Sequence, residues 1–236
     1  MSNTHDHDRE FDSAIYDKEY FEGDGHKSGY TSYQQAEGIL VDQYNMISTI
    51  MRPRLAKSTV LDLGCAYGFG LKQLGVLGWE QLEGADVSEW AISQAVKQVD
   101  GGIFYCTDVA RDMLFWKPYM QAKTKLGLIT GIEFFEHVES KDVPQLVYNM
   151  SQSAEWGFFV INGRTAPYQD VMGNHGDHGH LNNHNMSWWI EQFAAFGEID
   201  FDAMYMFSRE AERLYPELHW HNRAIVVKFN NKKVEE

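Results

Sequence analysis

Cysteine is scarce, with only Cys65 and Cys106 in 236 residues. A reduced pair in a cytoplasmic protein, not a disulfide, is the expected state. Long apolar runs are absent too. None approaches the ~20 residues that a membrane-spanning helix needs. The opening Met1-Ser2-Asn3-Thr4-His5-Asp6-His7-Asp8 is polar and acidic, unlike a signal peptide. Basic residues are few: 20 Lys and Arg stand against 34 Asp and Glu, a net charge of −14. A nucleic-acid binder carries a basic face. Here the basic clusters are only Lys123/Lys125 and Lys232/Lys233, so polymeric RNA or DNA is a poor partner. An anionic membrane surface is equally disfavoured.

What is present is material for a core. The chain is 44% hydrophobic and 14% aromatic, which excludes disorder as a description of the whole. Its length suits one α/β domain. Val60-Leu61-Asp62-Leu63-Gly64-Cys65-Ala66-Tyr67-Gly68-Phe69-Gly70 is the most informative stretch. The apolar run 59–63 reads as a buried strand, Gly64 to Gly70 as a turn, and Leu71-Lys72-Gln73-Leu74 as the start of a helix. Such a unit brings bare backbone N–H groups close to a ligand. Asp86 closes a second strand 22 residues after Gly64, where an acid would hold a ribose. The pair points to a ligand containing a nucleoside. Dinucleotide spacing fails, because Ala66 and Phe69 stand where G-x-G-x-x-G needs glycines from Gly64. Counting from Gly68 fails at Gln73.

Strands are expected near 59–63, 82–86, 102–107, 126–130 and 157–162, with helices between them. That alternation argues for a parallel sheet. The runs 198–207 and 223–229 read as two further strands. Residues 1–10 read as a solvated tail, 21–30 as a glycine-rich loop, and 36–55 as a helix with apolar residues at helical spacing. We therefore divide the chain into a tail with cap or lid helices over 1–57 and a catalytic domain over 58–236, a single domain overall.

The chain resembles the class I S-adenosylmethionine-dependent methyltransferases, whose first motif is acid-x-G-x-G-x-G. Asp62, Gly64 and Gly68 match it, and Ala66 replaces the middle glycine, which requires an ordinary φ there. Gly84-Ala85-Asp86-Val87-Ser88, Tyr105-Cys106-Thr107-Asp108-Val109 and Gly131-Ile132-Glu133-Phe134-Phe135-Glu136-His137-Val138 continue the likeness, so that it covers residues 59 to 138. The resemblance implies a Rossmann-like sheet of seven strands, mostly parallel, in the order 3-2-1-4-5-7-6, with helices on both faces. It implies S-adenosylmethionine as cofactor and S-adenosylhomocysteine as product. Gly64, Cys65, Ala66, Gly68 and Gly131 would back the methionine part, and Asp62 would orient the turn or the amino group. Asp86 would hold the ribose hydroxyls, Val87 would form an apolar wall with Val109, and Ser88 would join the cofactor-binding residues. Asp108 would accept from the adenine amino group, beside Val109.

The reacting site is expected around Glu133-Phe134-Phe135-Glu136-His137, read as the start of the helix after the fourth strand. Positions three and four apart share a helix face, so Glu133, Glu136 and His137 would converge. Gly173 to Asn185 carries four histidines in ten residues, His175, His178, His180 and His184. This loop is expected to fold back over the strand ends, before a helix capped by Ser187. Glu-x-x-Glu-His with a later Asp-His resembles the metal sites of small-RNA ribose methyltransferases and of ubiquinone-pathway O-methyltransferases. That resemblance implies Mg²⁺ or Mn²⁺ on Glu133, Glu136, His137 and His178 or His180. Without a metal, His178, His180 or His137 would take the proton of a hydroxyl acceptor. Tyr30, Tyr33, Glu133 and Tyr168 are expected to line the acceptor, with Trp188 and Trp189 as aromatic walls or core. The expected activity is methyl transfer to a small molecule, most readily at oxygen of a sugar or secondary metabolite. A metal-dependent RNA ribose methyltransferase and a non-catalytic binder of the nucleoside stand as alternatives.

Overall fold

The computed structural model describes residues 11–23, 32–162, 181–182, 184–216 and 222–230. Seven strands form one sheet: β1 Thr59–Leu63, β2 Gln81–Asp86, β3 Ile103–Cys106, β4 Leu126–Ile132, β5 Ala154–Val160, β6 Gly197–Ile199 and β7 Ala224–Phe229. Their order is 3-2-1-4-5-7-6. β1 to β5 run parallel, and β7 lies antiparallel between β5 and β6. The helices are α1 Lys18–Glu22, α2 Glu37–Met51, α3 Phe69–Val76, α4 Glu89–Gln98, α5 Met113–Gln121, α6 Val143–Ser153, α7 Met186–Ala194 and α8 Phe201–Leu214. No helix of the described residues is long and apolar enough to cross a membrane.

Strands buried on both faces read as nearly continuous apolar runs, and β4 and β5 do so apart from Thr130 and Glu155. Alternate residues of β5 feed opposite layers. Phe158 packs with Ile47, Met51, Leu71 and Phe207, while Phe159 packs with Trp116, Leu146, Trp189 and Phe193. A third cluster, Phe21, Ala66, Tyr67, Phe69 and Ala91, sits at the carboxyl end of the sheet with Tyr16, Tyr20 and Tyr33 against it.

Two expectations about elements are corrected. The run 198–207 is not a strand: β6 ends at Ile199 and α8 follows. The Asp200 side chain caps α8 by accepting from Ala203 N, and Ala203, Phe207 and Ala211 form its buried stripe at helical spacing. The expected helix 36–55 stops at Met51. A 3₁₀ turn, Arg52–Arg54, finishes it at Pro53, because proline has no N–H to continue the ladder.

A cavity of about 1020 Å³ lies between α5 and the sheet face of β2 and β3. Buried Glu83 faces it, and Gln81, Tyr105 and Tyr119 donate to its carboxylate. The cavity reaches the strand starts at Thr59 and Gln81. Ligands of open parallel sheets bind at the other, carboxyl end.

Candidate active site

At the carboxyl end of β1 the chain turns through Gly64 (φ 67), Ala66 (φ 45) and Gly68 (φ 73). Gly64 N and Cys65 N both donate to Ala85 O, at 2.8 and 3.1 Å. Ala66 N donates to Asp86 Oδ2 at 2.9 Å, and Ser88 N to Asp86 Oδ1 at 2.9 Å. The turn is thereby stitched to the end of β2. Ala66 does not have the ordinary φ expected of it. Its left-handed backbone aims its N–H at Asp86, at a cost of roughly 1–2 kcal/mol for a residue with a Cβ. Gly64 is confined differently. A Cβ there would stand 2.9 Å from the ring of Phe134 as well as at positive φ. Gly68 caps α3 without a side-chain hydrogen bond, so the first N–H groups of α3 have no side-chain cap.

Burial raises the pKa of Asp86, and the N–H groups of Ser88, Ala66 and Val87 oppose that rise. Asp62 lies in β1, just before the turn. It is buried, and its Oδ1 accepts from Tyr44 at 2.6 Å and from Thr130 at 2.7 Å, tying α2 to β1 and β4. Burial lifts its pKa to about 6, against these two hydrogen bonds, and the charge of Asp86 lifts it further. The Ser88 hydroxyl caps α4 by accepting from Ala91 N. Asp108 Oδ1 accepts from Ala110 N at 3.1 Å, and Arg111 stands 3.6 Å from its other oxygen. Val109 packs into the core layer with Leu61, Leu63 and Ala85. Gly131 is buried within β4. Both cysteines are free thiols, Cys65 buried and Cys106 exposed.

After β4 the expected helix face is absent. Glu133 has φ 52 and its N–H continues the sheet to Val160 O at 2.8 Å. A single 3₁₀ turn, Phe135–His137, follows, and α6 begins only at Val143. The three side chains therefore do not share one helical face. Glu136 is wholly buried and its carboxyl meets that of Glu133. Its pKa is pushed well above the usual carboxylate range, first by burial and then by the Glu133 charge. Arg223 stands 3.5 Å from Glu133 Oε1. The Glu136 carbonyl accepts from Leu181 N and Asn182 N at 2.8 and 3.0 Å, fixing the end of the histidine loop here. Among the described residues, no group of three His, Cys, Asp or Glu is arranged to hold a metal ion. The other expected ligand, His178, lies outside those residues, as do His180, Tyr30 and Tyr168.

Sequence reasoning missed a strap. Residues 11–22 cross the strand ends from the β4 turn to the glycine turn. Phe11 N donates to Glu139 Oε1 at 2.9 Å, and Arg111 lies over the Phe11 ring. Tyr16 Oη lies 3.0 Å from His137 Nδ1. On the other side Tyr67 donates to Glu22 at 3.0 Å, and Trp90 Nε1 donates to the Tyr67 oxygen at 2.9 Å. Tyr33 stacks on Phe69 and meets Phe21 and Tyr67, so it backs the glycine turn. The sequence did carry one signal: Asp12 and Asp17 each precede a short helical turn as caps. Farther along, α7 is capped by Asn185, not Ser187, because the Asn185 side chain reaches Trp188 N. Trp189 is core, and Trp188 stacks on His184 at 3.9 Å.

The arrangement fits a nucleoside with a charged tail. Each Asp86 oxygen takes one backbone N–H and keeps a further lone pair for a hydroxyl. The N-terminus of α3 next to it has no side-chain cap, and uncapped helix N–H groups favour an anion. No family model and no curated protein matches this sequence. Solved structures do. The chain is similar to the plantazolicin methyltransferase BpumL in complex with SAH, with a TM-score of 0.59 and 14% identity over 92% of this chain and 95% of that one. It is also similar to BpumL in complex with a pentazolic desmethylPZN analog and SAH, with a TM-score of 0.60 and 15% identity over 89% of this chain and 91% of that one. Sheet order, glycine turn and these likenesses agree: the chain has the fold of the class I methyltransferases.

Proposed function

We propose that this protein is an S-adenosylmethionine-dependent methyltransferase of a small-molecule acceptor, acting at oxygen of a sugar or secondary metabolite. The observation that carries the reading is the Asp86 carboxylate, held by Ala66 N and Ser88 N beside an uncapped helix start. The similarity to the plantazolicin methyltransferase BpumL, solved with SAH and with a desmethylPZN analog, supports both cofactor and acceptor class. The net charge of −14 speaks against a polynucleotide acceptor. Asp86 would hold the ribose hydroxyls, Asp108 the adenine amino group, and the turn from Gly64 to Gly68 with the start of α3 the amino-acid end. When bound, the cofactor supplies an activated methyl group. The protein orients the acceptor against it, excludes water and receives a proton. His137 is the imidazole of the described residues that faces this end of the sheet. His178 and His180 join it as candidate bases, while among the described residues Glu133, Glu136 and His137 are not arranged to hold Mg²⁺ or Mn²⁺.

Calorimetry tests the cofactor. S-adenosylhomocysteine is expected to bind at micromolar level or better, about −8 kcal/mol. Asp86→Ala is expected to weaken it at least tenfold, and NAD is expected not to bind. Unchanged affinity in Asp86→Ala would remove the site, and binding without any methyl transfer across an acceptor screen would favour the non-catalytic binder.

A further inference from the structure

We propose that Tyr16 is a catalytic residue of the transfer site, its phenol binding the nucleophilic group of the acceptor and passing that group's proton to His137. The inference rests on the methyltransferase reading above and adds to it the residue that meets the acceptor.

Four observations place Tyr16 there. Its oxygen lies 3.0 Å from His137 Nδ1, across 121 residues of sequence. Its ring sits edge-on to His137 and to Tyr20, with centroids 5.8 and 4.9 Å away. The same side chain packs against the cluster of Ala66, Tyr67 and Phe69, so the phenol stands between the glycine turn beside Asp86 and the β4 turn that carries His137. The strap that carries it is fastened beyond it on each side, at Phe11 to Glu139 and at Glu22 to Tyr67. Between the acid that holds a ribose and the turn after β4 is where the 5′ end of a bound nucleoside, with its sulfur, must come. A tyrosine fixed in that gap faces the transferred methyl.

The chemistry of the pair is definite. Burial and the charges of Tyr20, Asp86 and Glu136 all disfavour a phenolate, so Tyr16 stays neutral. With the imidazole proton on Nε2, the phenol donates to Nδ1 and its lone pairs accept from the acceptor's O–H. As the acceptor oxygen bonds to the methyl carbon, the carbon–sulfur bond breaks and sulfur keeps the electron pair. The acceptor proton moves to the Tyr16 oxygen while the phenolic proton moves to His137 Nδ1. Tyrosine is unchanged at the end, and the imidazolium returns its proton to water.

Sinefungin tests this without an identified acceptor, because it carries an amine where the cofactor carries the transferable methyl. We compare sinefungin and S-adenosylhomocysteine by calorimetry on the full chain and on Tyr16→Phe, with His137→Gln as second variant. Tyr16→Phe keeps the ring packing, and its melting temperature checks the fold. The expected result is a loss of tenfold or more for sinefungin in Tyr16→Phe, with S-adenosylhomocysteine changed less than twofold. A smaller selective loss is expected in His137→Gln, whose phenol lacks its partner. Equal losses of both ligands in Tyr16→Phe would make Tyr16 structural and overturn the proposal. So would no loss of either, or a selective loss in His137→Gln alone. Failure of S-adenosylhomocysteine to bind the unmodified chain would instead remove the cofactor reading, and this role with it.

Discussion

Asp62 sits at the buried junction of α2, β1 and β4 with two hydroxyls on one oxygen. Its pKa of about 6 lies above the ordinary 3.8, so the fold prefers it protonated. The contribution is fully present below pH about 4 and is lost as pH rises through 6. Over that window it amounts to about 3 kcal/mol, at 1.36 kcal/mol per pH unit. Asp62→Asn has no proton to lose there. Denaturant melts of the two proteins are expected to diverge from pH 4 to 7.5, in favour of the variant by up to about 3 kcal/mol. A pH-independent difference would mean that Asp62 ionises in the fold as it does in water. The place of Asp86 was legible because it ends a strand at a fixed distance from a glycine turn. The left-handed backbones of Ala66 and Glu133 were not legible. No local pattern announces a positive φ that is imposed by a hydrogen bond to another strand.

Among the elements, β1, β4 and β5 were readable as largely apolar buried runs, and β2 and β3 from their place in the alternation of strands and helices. The stretch 198–207 misled because Phe201, Met204, Tyr205, Met206 and Phe207 crowd together without a clean period. In α8, Tyr205 is 64% exposed while Phe207 is fully buried. Two residues apart, they share a face in a strand and part company in a helix. Phe207→Ala is therefore expected to cost about 3–5 kcal/mol, and Tyr205→Ala about 0.5 kcal/mol or less. Comparable losses in urea unfolding would restore the strand. The turn after β4 was misread for a related reason. Glu-x-x-Glu-His has helical spacing, but Glu133 N stays in register with Val160 O and the chain cannot coil there.

Across the whole molecule, the sheet and its order followed from alternation and resemblance, whereas the strap did not. Its fastenings join residues more than a hundred positions apart, at Phe11 to Glu139 and Tyr16 to His137. Sequence patterns within a window are blind to such pairs. The reading of 1–57 as a cap or lid pointed to the region, yet the residues expected to line the acceptor there were Tyr30 and Tyr33, not Tyr16.

A band fastened to both walls of a cleft separates how tightly a ligand is held from how long it stays. A nucleoside under residues 11–22 leaves only when a tie opens, so its residence time tracks the ties and its affinity tracks Asp86. Glu139→Gln weakens the tie at Phe11 and leaves Asp86 with its two backbone N–H partners in place. Stopped-flow release of S-adenosylhomocysteine is expected to quicken several-fold in that variant. Entry would quicken with it, and the equilibrium constant would change little. If release is unaltered, the band is no gate. If release and turnover quicken together, the spent cofactor's departure, and not the bond-making step, sets the pace of turnover.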